Sequence, residues 1–279
     1  MRVLITGAGG GVGGALAARL DGTHAVLPCD HAMLDITDAR AVWSCVLAFK
    51  PDVIINPAAI TNVDRCERQP DLAWTVNAEA PGTLAAAAER AGARFIHLST
   101  DYVFDGRKGE PYVETDPTAA RGVYGQSKIA GERAALAGCQ RAYIVRTAWV
   151  MNLARPGFLA AMLAAAPSGR ARVARQTSSP TGLTDLVEAL ARMIQARPPG
   201  GIYHMVNAGQ CSRRELAAEM FRLLGVEVTL DEVSVTEFGG APRPDYSALR
   251  AEAWALAGMP PFRPWQEALA EVLTQVRPG

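Results

Sequence analysis

Tyr124 and Lys128 stand four residues apart in the run Tyr124-Gly125-Gln126-Ser127-Lys128. On a helix that spacing puts both side chains on one face, so they can point into one cleft. A lysine ammonium beside a phenol favours the phenolate and lowers its pKa towards working pH. A tyrosine so placed can hand a proton to a carbonyl oxygen while hydride arrives at the carbon, and the ammonium can hold a nicotinamide ribose. Tyr and Lys at this spacing are common, so the pattern takes its meaning from what surrounds it. Upstream, Ser99-Thr100-Asp101-Tyr102 offers hydroxyls at the end of an apolar run. Thr100 can hydrogen-bond a substrate carbonyl there; Ser99 and Thr100 can equally cap the following turn. Side-chain chemistry alone leaves both readings open.

The cofactor that such a pair would serve has its own signature. Gly7-Ala8-Gly9-Gly10-Gly11-Val12-Gly13 places glycines at 7, 10 and 13, directly after a strand-like run and at the start of a helical one. Glycine permits positive φ, brings backbone N–H groups against a pyrophosphate and lets the helix sit close on the strand. Tight turns also collect glycine, but the first turn of a first βαβ unit is where a dinucleotide belongs. Asp30 ends the second strand-like run, where a carboxylate accepts hydrogen bonds from the adenosine ribose and disfavours a 2′-phosphate. The plainer reading makes it a turn residue. No Arg or Lys stands beside it, which favours NADH over NADPH, with Arg19 and Arg40 able to approach through space.

These groups need a scaffold. Val3–Thr6, a run ending near Cys29-Asp30, Asp52–Asn56, Arg94–Leu98 and Ala142–Arg146 read as strands. Gly10–Leu20, Asp38–Phe49, Leu72–Ala91 and Gly122–Ala137 read as helices between them. Unbroken apolar strands under helices predict an α/β, Rossmann-like doubly wound parallel sheet with ligands at the carboxyl ends of its strands. Past a soft boundary near 150, Pro-Gly turns at 156–157 and 199–201 break the pattern into smaller units. Helical stretches at Leu183–Ala196, Arg213–Leu224 and Trp265–Val276 suggest a smaller C-terminal α/β lobe closing over the cofactor domain. The expected division is 1–150 for the dinucleotide and 151–279 mainly for substrate, with some elements returning to the cofactor domain.

Bulk properties remove other classes. With 279 residues, 49% hydrophobic, the chain can bury a full core without disulfides or metals. Lys+Arg and Asp+Glu are both 28, so no basic excess points to nucleic acid or a membrane surface. No secretory signal or membrane-spanning run is apparent, which gives the expectation of a soluble, cytoplasmic protein. Five dispersed cysteines and four scattered histidines form no ligand-like cluster, so no metal is expected.

Taken together the motifs resemble the extended short-chain dehydrogenase/reductase superfamily and, within it, the dTDP-4-dehydrorhamnose reductase family. The likeness covers nearly the whole chain. It runs from the glycine loop through Pro51-Asp52-Val53-Ile54-Ile55-Asn56 and Ala58-Ala59-Ile60-Thr61-Asn62-Val63-Asp64 to Ser99-Thr100-Asp101-Tyr102-Val103-Phe104-Asp105-Gly106. It continues in the Tyr124–Lys128 run, Arg146-Thr147-Ala148-Trp149-Val150, Ser179-Pro180-Thr181 and Arg243-Pro244. The resemblance implies that Thr100, Tyr124 and Lys128 are catalytic. It implies Gly10, Gly11 and Val12 at the pyrophosphate, Asp30 at the ribose, and Asp35 and Ile36 at the adenine. Ala59 and Thr61 would line the inner dinucleotide path, and Asp101 and Trp149 would touch substrate. The implied reaction is NADH- or NADPH-dependent reduction of the 4-keto group of a nucleotide-linked 6-deoxyhexose, by default dTDP-4-dehydrorhamnose to dTDP-rhamnose. A homodimer is admitted, but Ala15 replaces the first acidic residue with which some members share a metal, and Ala120 replaces a usual proline. The competing readings are an epimerase or dehydratase of the same fold and a non-catalytic regulatory subunit. Tyr102 stands where dehydratases place an acid, and the intact Tyr124–Lys128 pair speaks against the regulatory role.

Overall fold

The computed structural model describes residues 1–274. Its centre is a six-stranded sheet in the order Gly201–His204, Ala142–Thr147, Arg94–Thr100, Val53–Asn56, Arg2–Ile5, Ala25–Pro28. Every pairing in it is parallel. The chain therefore reverses its direction of winding between the first strand, Arg2–Ile5, and the third, Val53–Asn56. That is the switch point where an open α/β sheet leaves a crevice at its carboxyl end. Strands such as Val53-Ile54-Ile55-Asn56 are buried on both faces, which is why they read as continuous apolar runs.

Helices cover both faces. Gly11–Leu20 and Leu183–Ala196 pack together on one side with Val3, Ile5, Val53, Ile55, Ile96 and Val145. Ala39–Phe49, Ala80–Ala91 and Val123–Gly138 cover the other. Leu183–Ala196, which the sequence reading assigned to the lobe, thus belongs to the sheet, and the strand Gly201–His204 follows it back to the edge. The reason is its strongly one-sided apolar stripe: Leu186, Leu190, Met193 and Ile194 are all buried against the sheet layer.

Leu72–Ala91 is not one regular helix. Pro70–Trp74 runs into a π turn at Thr75–Glu79 before Ala80–Ala91 resumes the α form. Pro81 has no N–H to give to Asn77, four residues earlier. The freed Asn77 carbonyl faces Gly131, where a Cβ would lie 2.1 Å from that oxygen. This close approach seats the helix Val123–Gly138, and with it Tyr124 and Lys128, against its neighbour.

The smaller lobe is stitched from short pieces. Val150–Met151 pairs with Thr181–Gly182, Thr177–Ser178 with Cys211–Ser212, and Arg170–Ala174 with Thr229–Val233. Leu159, Met162, Val173, Leu216, Phe221, Trp265 and Leu269 fill its core. The last described helix is Trp265–Leu273; the end of the expected Trp265–Val276 lies outside the described residues. None of the described helices is long and apolar enough to cross a membrane.

Candidate active site

A cleft of about 680 Å³ opens at the carboxyl end of the sheet, between sheet and lobe. Gly7, Gly10, Gly11, Val12 and Gly13 form one end of it. Ala59 and Thr61 lie along its floor, and Thr100, Asp101, Tyr124, Lys128 and Trp149 line the rest. Asp30, Asp35 and Ile36 are outside this lining. Asp30 is exposed at the end of the second strand and accepts the Met33 N–H at 2.9 Å. The Asp35 carboxylate bonds Thr37 through backbone N–H and hydroxyl, which holds its pKa below the usual carboxylate value. Ile36 is buried in the core.

The glycine loop is built for backbone approach. Gly7 has φ +58°, and a Cβ there would sit 2.9 Å from Ala58 Cα. At Gly13 a Cβ would fall 2.4 Å from the Gly7 carbonyl oxygen. Gly10 caps the helix Gly11–Leu20 without any side chain bonding the first N–H groups. Those N–H groups and the positive end of the helix dipole make an anion cradle. Two residues from the segment after the fifth strand of the sheet reach back over it. Asn152 lies so close that a Cβ on Gly11 would be 2.8 Å from its Nδ2, and the Arg155 guanidinium donates to the Gly9 carbonyl.

The Tyr124 helix is anchored from elsewhere in the chain. Its N-cap is Gly122, which has no side chain to offer, and Glu67 supplies the missing acceptor by taking the Val123 N–H at 2.7 Å. A Cβ on Gly125 would lie 2.2 Å from the Tyr102 carbonyl oxygen, so only glycine lets the helix meet the strand end this closely. Tyr102 and Tyr124 pack edge to face with ring centroids 5.8 Å apart.

Ser99 and Thr100 both line the cleft, but their hydroxyls are engaged differently. Ser99 turns to Glu132, which in turn holds Arg146 in a buried two-pronged ion pair at 2.9 and 2.7 Å. Thr100 faces the cleft, where its Oγ1 accepts the Tyr102 N–H at 3.2 Å and donates to Asp101 at 3.1 Å. Asp101 lines the cleft, yet its carboxylate is engaged by Thr100, Ser178 and Ser247, tying two lobe segments to the strand end. Burial pushes that carboxyl above its ordinary range.

Lys128 departs from the expectation that it polarises the phenol. Its Nζ donates to the Leu98 carbonyl at 2.6 Å and faces His97 Nε2 at 3.1 Å. Burial, the dominant cause, lifts Tyr124 above the phenol range, and Lys128 does not offset it. The physical reason is desolvation: a fully enclosed phenol resists ionising more than an ammonium turned elsewhere can encourage it. Burial likewise lowers Lys128 to about 8.

His97 and Asn56 were missed in the sequence, where each was one polar residue in an apolar strand. Ala58 N–H and Thr6 Oγ1–H both donate to Asn56 Oδ1, at 3.2 and 2.6 Å, so the Asn56 amide nitrogen faces His97 Nδ1 at 3.1 Å. His97 is held neutral by burial and by the Lys128 charge. With Nδ1 accepting, a neutral ring carries its proton on Nε2, facing Lys128. Asn77 was missed too; it clamps the floor loop by bonding Ile60 through both N–H and C=O, and it reaches Ser127.

Trp149 follows the fifth strand with φ +41°, a left-handed conformation rare for so bulky a residue. Such strain collects at ligand clamps. Its buried Nε1 has no hydrogen-bond partner among the described residues.

A parallel sheet with its switch point under a glycine cradle, and Thr, Tyr and Lys at one cleft, defines a reductase-type member of the extended short-chain dehydrogenase/reductase class. The family model for the RmlD substrate binding domain matches residues 1–277, and the chain belongs to that family. It is 42% identical to a dTDP-4-dehydrorhamnose reductase of Mycobacterium tuberculosis over 98% of this chain and 92% of that protein. The solved structure of a dTDP-4-dehydrorhamnose reductase from Clostridium acetobutylicum superposes with a TM-score of 0.95 at 38% identity, covering 99% of both chains. One from Bacillus anthracis, solved in complex with NADP, gives 0.94 at 34% identity over 99% of both.

Proposed function

We propose that this chain is a nicotinamide-dependent reductase of the 4-keto group of a nucleotide-linked 6-deoxyhexose, with dTDP-4-dehydrorhamnose as its substrate. The observation that carries the reading is the placing of Thr100, Tyr124 and Lys128 along one cleft with the glycine cradle. The relatives named for this reaction support the substrate.

The glycine loop fits the pyrophosphate of a dinucleotide, because side chains are excluded from it and its helix N–H groups are uncapped. When bound, the nicotinamide supplies hydride. Thr100 orients the substrate carbonyl from the strand end. Tyr124, kept protonated by burial, is in the form that can give a proton to the carbonyl oxygen as charge develops there. Lys128, which lines the same cleft one helical turn from Tyr124, is placed to hold the ribose. Asp101 and Trp149 shape the sugar end. Residues 1–150 hold the cofactor and 151–279 mainly the substrate, with the Leu183–Ala196 helix and Gly201–His204 strand as the returning elements. An exposed carboxylate at Asp30 supports NADH over NADPH.

Absorbance of the reduced cofactor, followed with dTDP-4-keto-6-deoxy sugar made in situ, tests the reading. Rapid oxidation of one cofactor is expected. No oxidation of either would overturn it in favour of a non-catalytic role.

A further inference from the structure

The cleft holds a cation that the catalytic scheme does not use. Arg213 opens the helix Arg213–Leu224 and lines the cleft beside Trp149 and Phe158. Its guanidinium carbon lies 3.5 Å from the centroid of the Trp149 ring and 4.5 Å from that of Phe158. Both rings lie within cation–π distance of the guanidinium, and its N–H groups remain free to donate.

No protein group takes up those N–H groups. Among the described residues no carboxylate forms an ion pair with Arg213, and the only recorded bond of this residue is its backbone N–H to the Gln176 carbonyl at 2.9 Å. Asp101 attracts it from nearby, but that carboxylate is already engaged by Thr100, Ser178 and Ser247. Burial lowers Arg213 to about 10, so it keeps its charge at neutral pH.

Its surroundings also oppose a cation. Arg213 opens its helix, where positive partial charge disfavours an arginine, although the Ser212–Glu215 capping box brings one carboxylate to the same turn. Arg243 repels it as well, and the two guanidinium groups both act on the Tyr102 hydroxyl. A guanidinium that lines an open cleft with no ion-paired protein partner is a group that an anion would satisfy.

We infer that Arg213 receives the diphosphate of the nucleotide-linked substrate, donating the free N–H groups of its guanidinium to the phosphate nearer the sugar. The inference rests on the proposed reading that the substrate is a nucleotide sugar, whose only anionic part is that diphosphate. The sugar-side phosphate follows from position: Arg213 lines the cleft with Trp149, and Asp101 and Tyr102 of the strand end that carries Thr100 attract it. Trp149 then has a definite task, as its strained backbone holds the ring that orients the guanidinium.

The test is calorimetric binding of dTDP and of dTMP to the NADPH-loaded enzyme, comparing wild type with Arg213→Met and Arg213→Lys. Methionine keeps a flexible stem between the two rings, and unchanged NADPH affinity certifies that each variant is folded. A charge-assisted bond to phosphate predicts that Arg213→Met weakens dTDP binding about 10- to 100-fold. Binding of dTMP, which lacks the sugar-side phosphate, should change by less than about threefold, and Arg213→Lys should restore part of the dTDP loss. Equal dTDP affinity in wild type and Arg213→Met overturns the assignment. So does a loss of turnover with dTDP affinity intact, which would move Arg213 onto the sugar. A wild type that binds neither nucleotide nor oxidises reduced cofactor defeats the nucleotide-sugar reading itself, and that result appears before any variant is made.

Discussion

The sheet domain that carries the glycine loop and the smaller lobe are held together by different means. Around the glycine loop and the Tyr124 helix, backbone meets backbone. Gly13 packs on the Gly7 carbonyl, Gly125 on the Tyr102 carbonyl and Gly131 on the Asn77 carbonyl, each with no room for a Cβ. In the lobe, two-residue strand pairs are joined by side chains reaching across long stretches of sequence. Asp101 holds Ser178 and Ser247, and Arg213 lies over Trp149 and Phe158. Several lobe glycines have open space around them, including Gly157 and Gly169. On the proposed reading, a cofactor common to many enzymes would be met by rigid main chain and the substrate by exchangeable side chains.

The largest effect should come from the proposed proton donor on the rigid side. Tyr124→Phe should cut turnover by roughly 10²- to 10⁴-fold while leaving cofactor affinity intact, measured by steady-state rates and by fluorescence titration of NADPH. Retained turnover would remove Tyr124 as proton donor and leave the rigid half with binding alone.

Next in size is the contrast between two glycines. Gly131→Ala places a methyl 2.1 Å from the Asn77 carbonyl oxygen, and the π turn and Pro81 leave that carbonyl nowhere to go. We expect a loss of about 2–3 kcal/mol in urea unfolding, with a displaced Tyr124 helix and reduced rate. Gly157→Ala, in extended backbone with nothing within contact distance, should change stability by less than about 0.5 kcal/mol. Equal costs at the two sites would dissolve the comparison.

This difference also explains what could be read from the sequence. Parallel strands buried on both faces announce themselves as apolar runs, and glycines forced by close approach survive as motif letters. The sheet was therefore legible, as was the meeting of Thr100, Tyr124 and Lys128 at one cleft. Leu183–Ala196 was correctly bounded but wrongly housed, because an apolar stripe says that a helix is buried and not against what. Val150–Met151 and Thr177–Ser178 are too short to show a period. His97, Asn56 and Arg213 carry no local signal, since their meaning lies in partners dozens of residues away. The direction of the Tyr124 shift was misjudged for a related reason: spacing on a helix reports a shared face, whereas burial and the turn of Lys128 towards Leu98 depend on the whole fold.

A smaller effect should follow acidification. His204 sits on the edge strand with Nδ1 facing the Arg250 carbonyl at 3.1 Å, and its buried Nε2 has no partner. Burial, followed by repulsion from Arg146, lowers its pKa from 6.5 to about 3. Between those values the unfolded chain binds a proton that the folded one does not. Stability is therefore full above about pH 6.5 and falls as pH drops, by up to about 1.4 kcal/mol per unit. His97 is shifted in the same direction. Urea midpoints at pH 7.5 and 5.5 should show the loss, and His204→Gln should flatten it. An unchanged slope in that variant would assign the acid sensitivity elsewhere.

The smallest expected effect tests where the rigid half stops being rigid. Asp30 is exposed, it belongs to no close backbone contact, and the one bond recorded for its carboxylate is with the Met33 N–H of its own turn. If it reads the ribose, it does so as the lobe reads substrate, by a side chain that evolution can exchange. Exposed charge interactions contribute about 0.2–1 kcal/mol, so Asp30→Ala should narrow the NADH-to-NADPH ratio of kcat/KM by only about two- to fivefold. The change should come from improved use of NADPH, because removing the carboxylate relieves repulsion of a 2′-phosphate. An unchanged ratio would reduce Asp30 to a turn residue. Cofactor choice would then have to come from groups such as Arg155, which approaches the glycine loop from the lobe, and the boundary between the two modes of recognition would run through the dinucleotide itself.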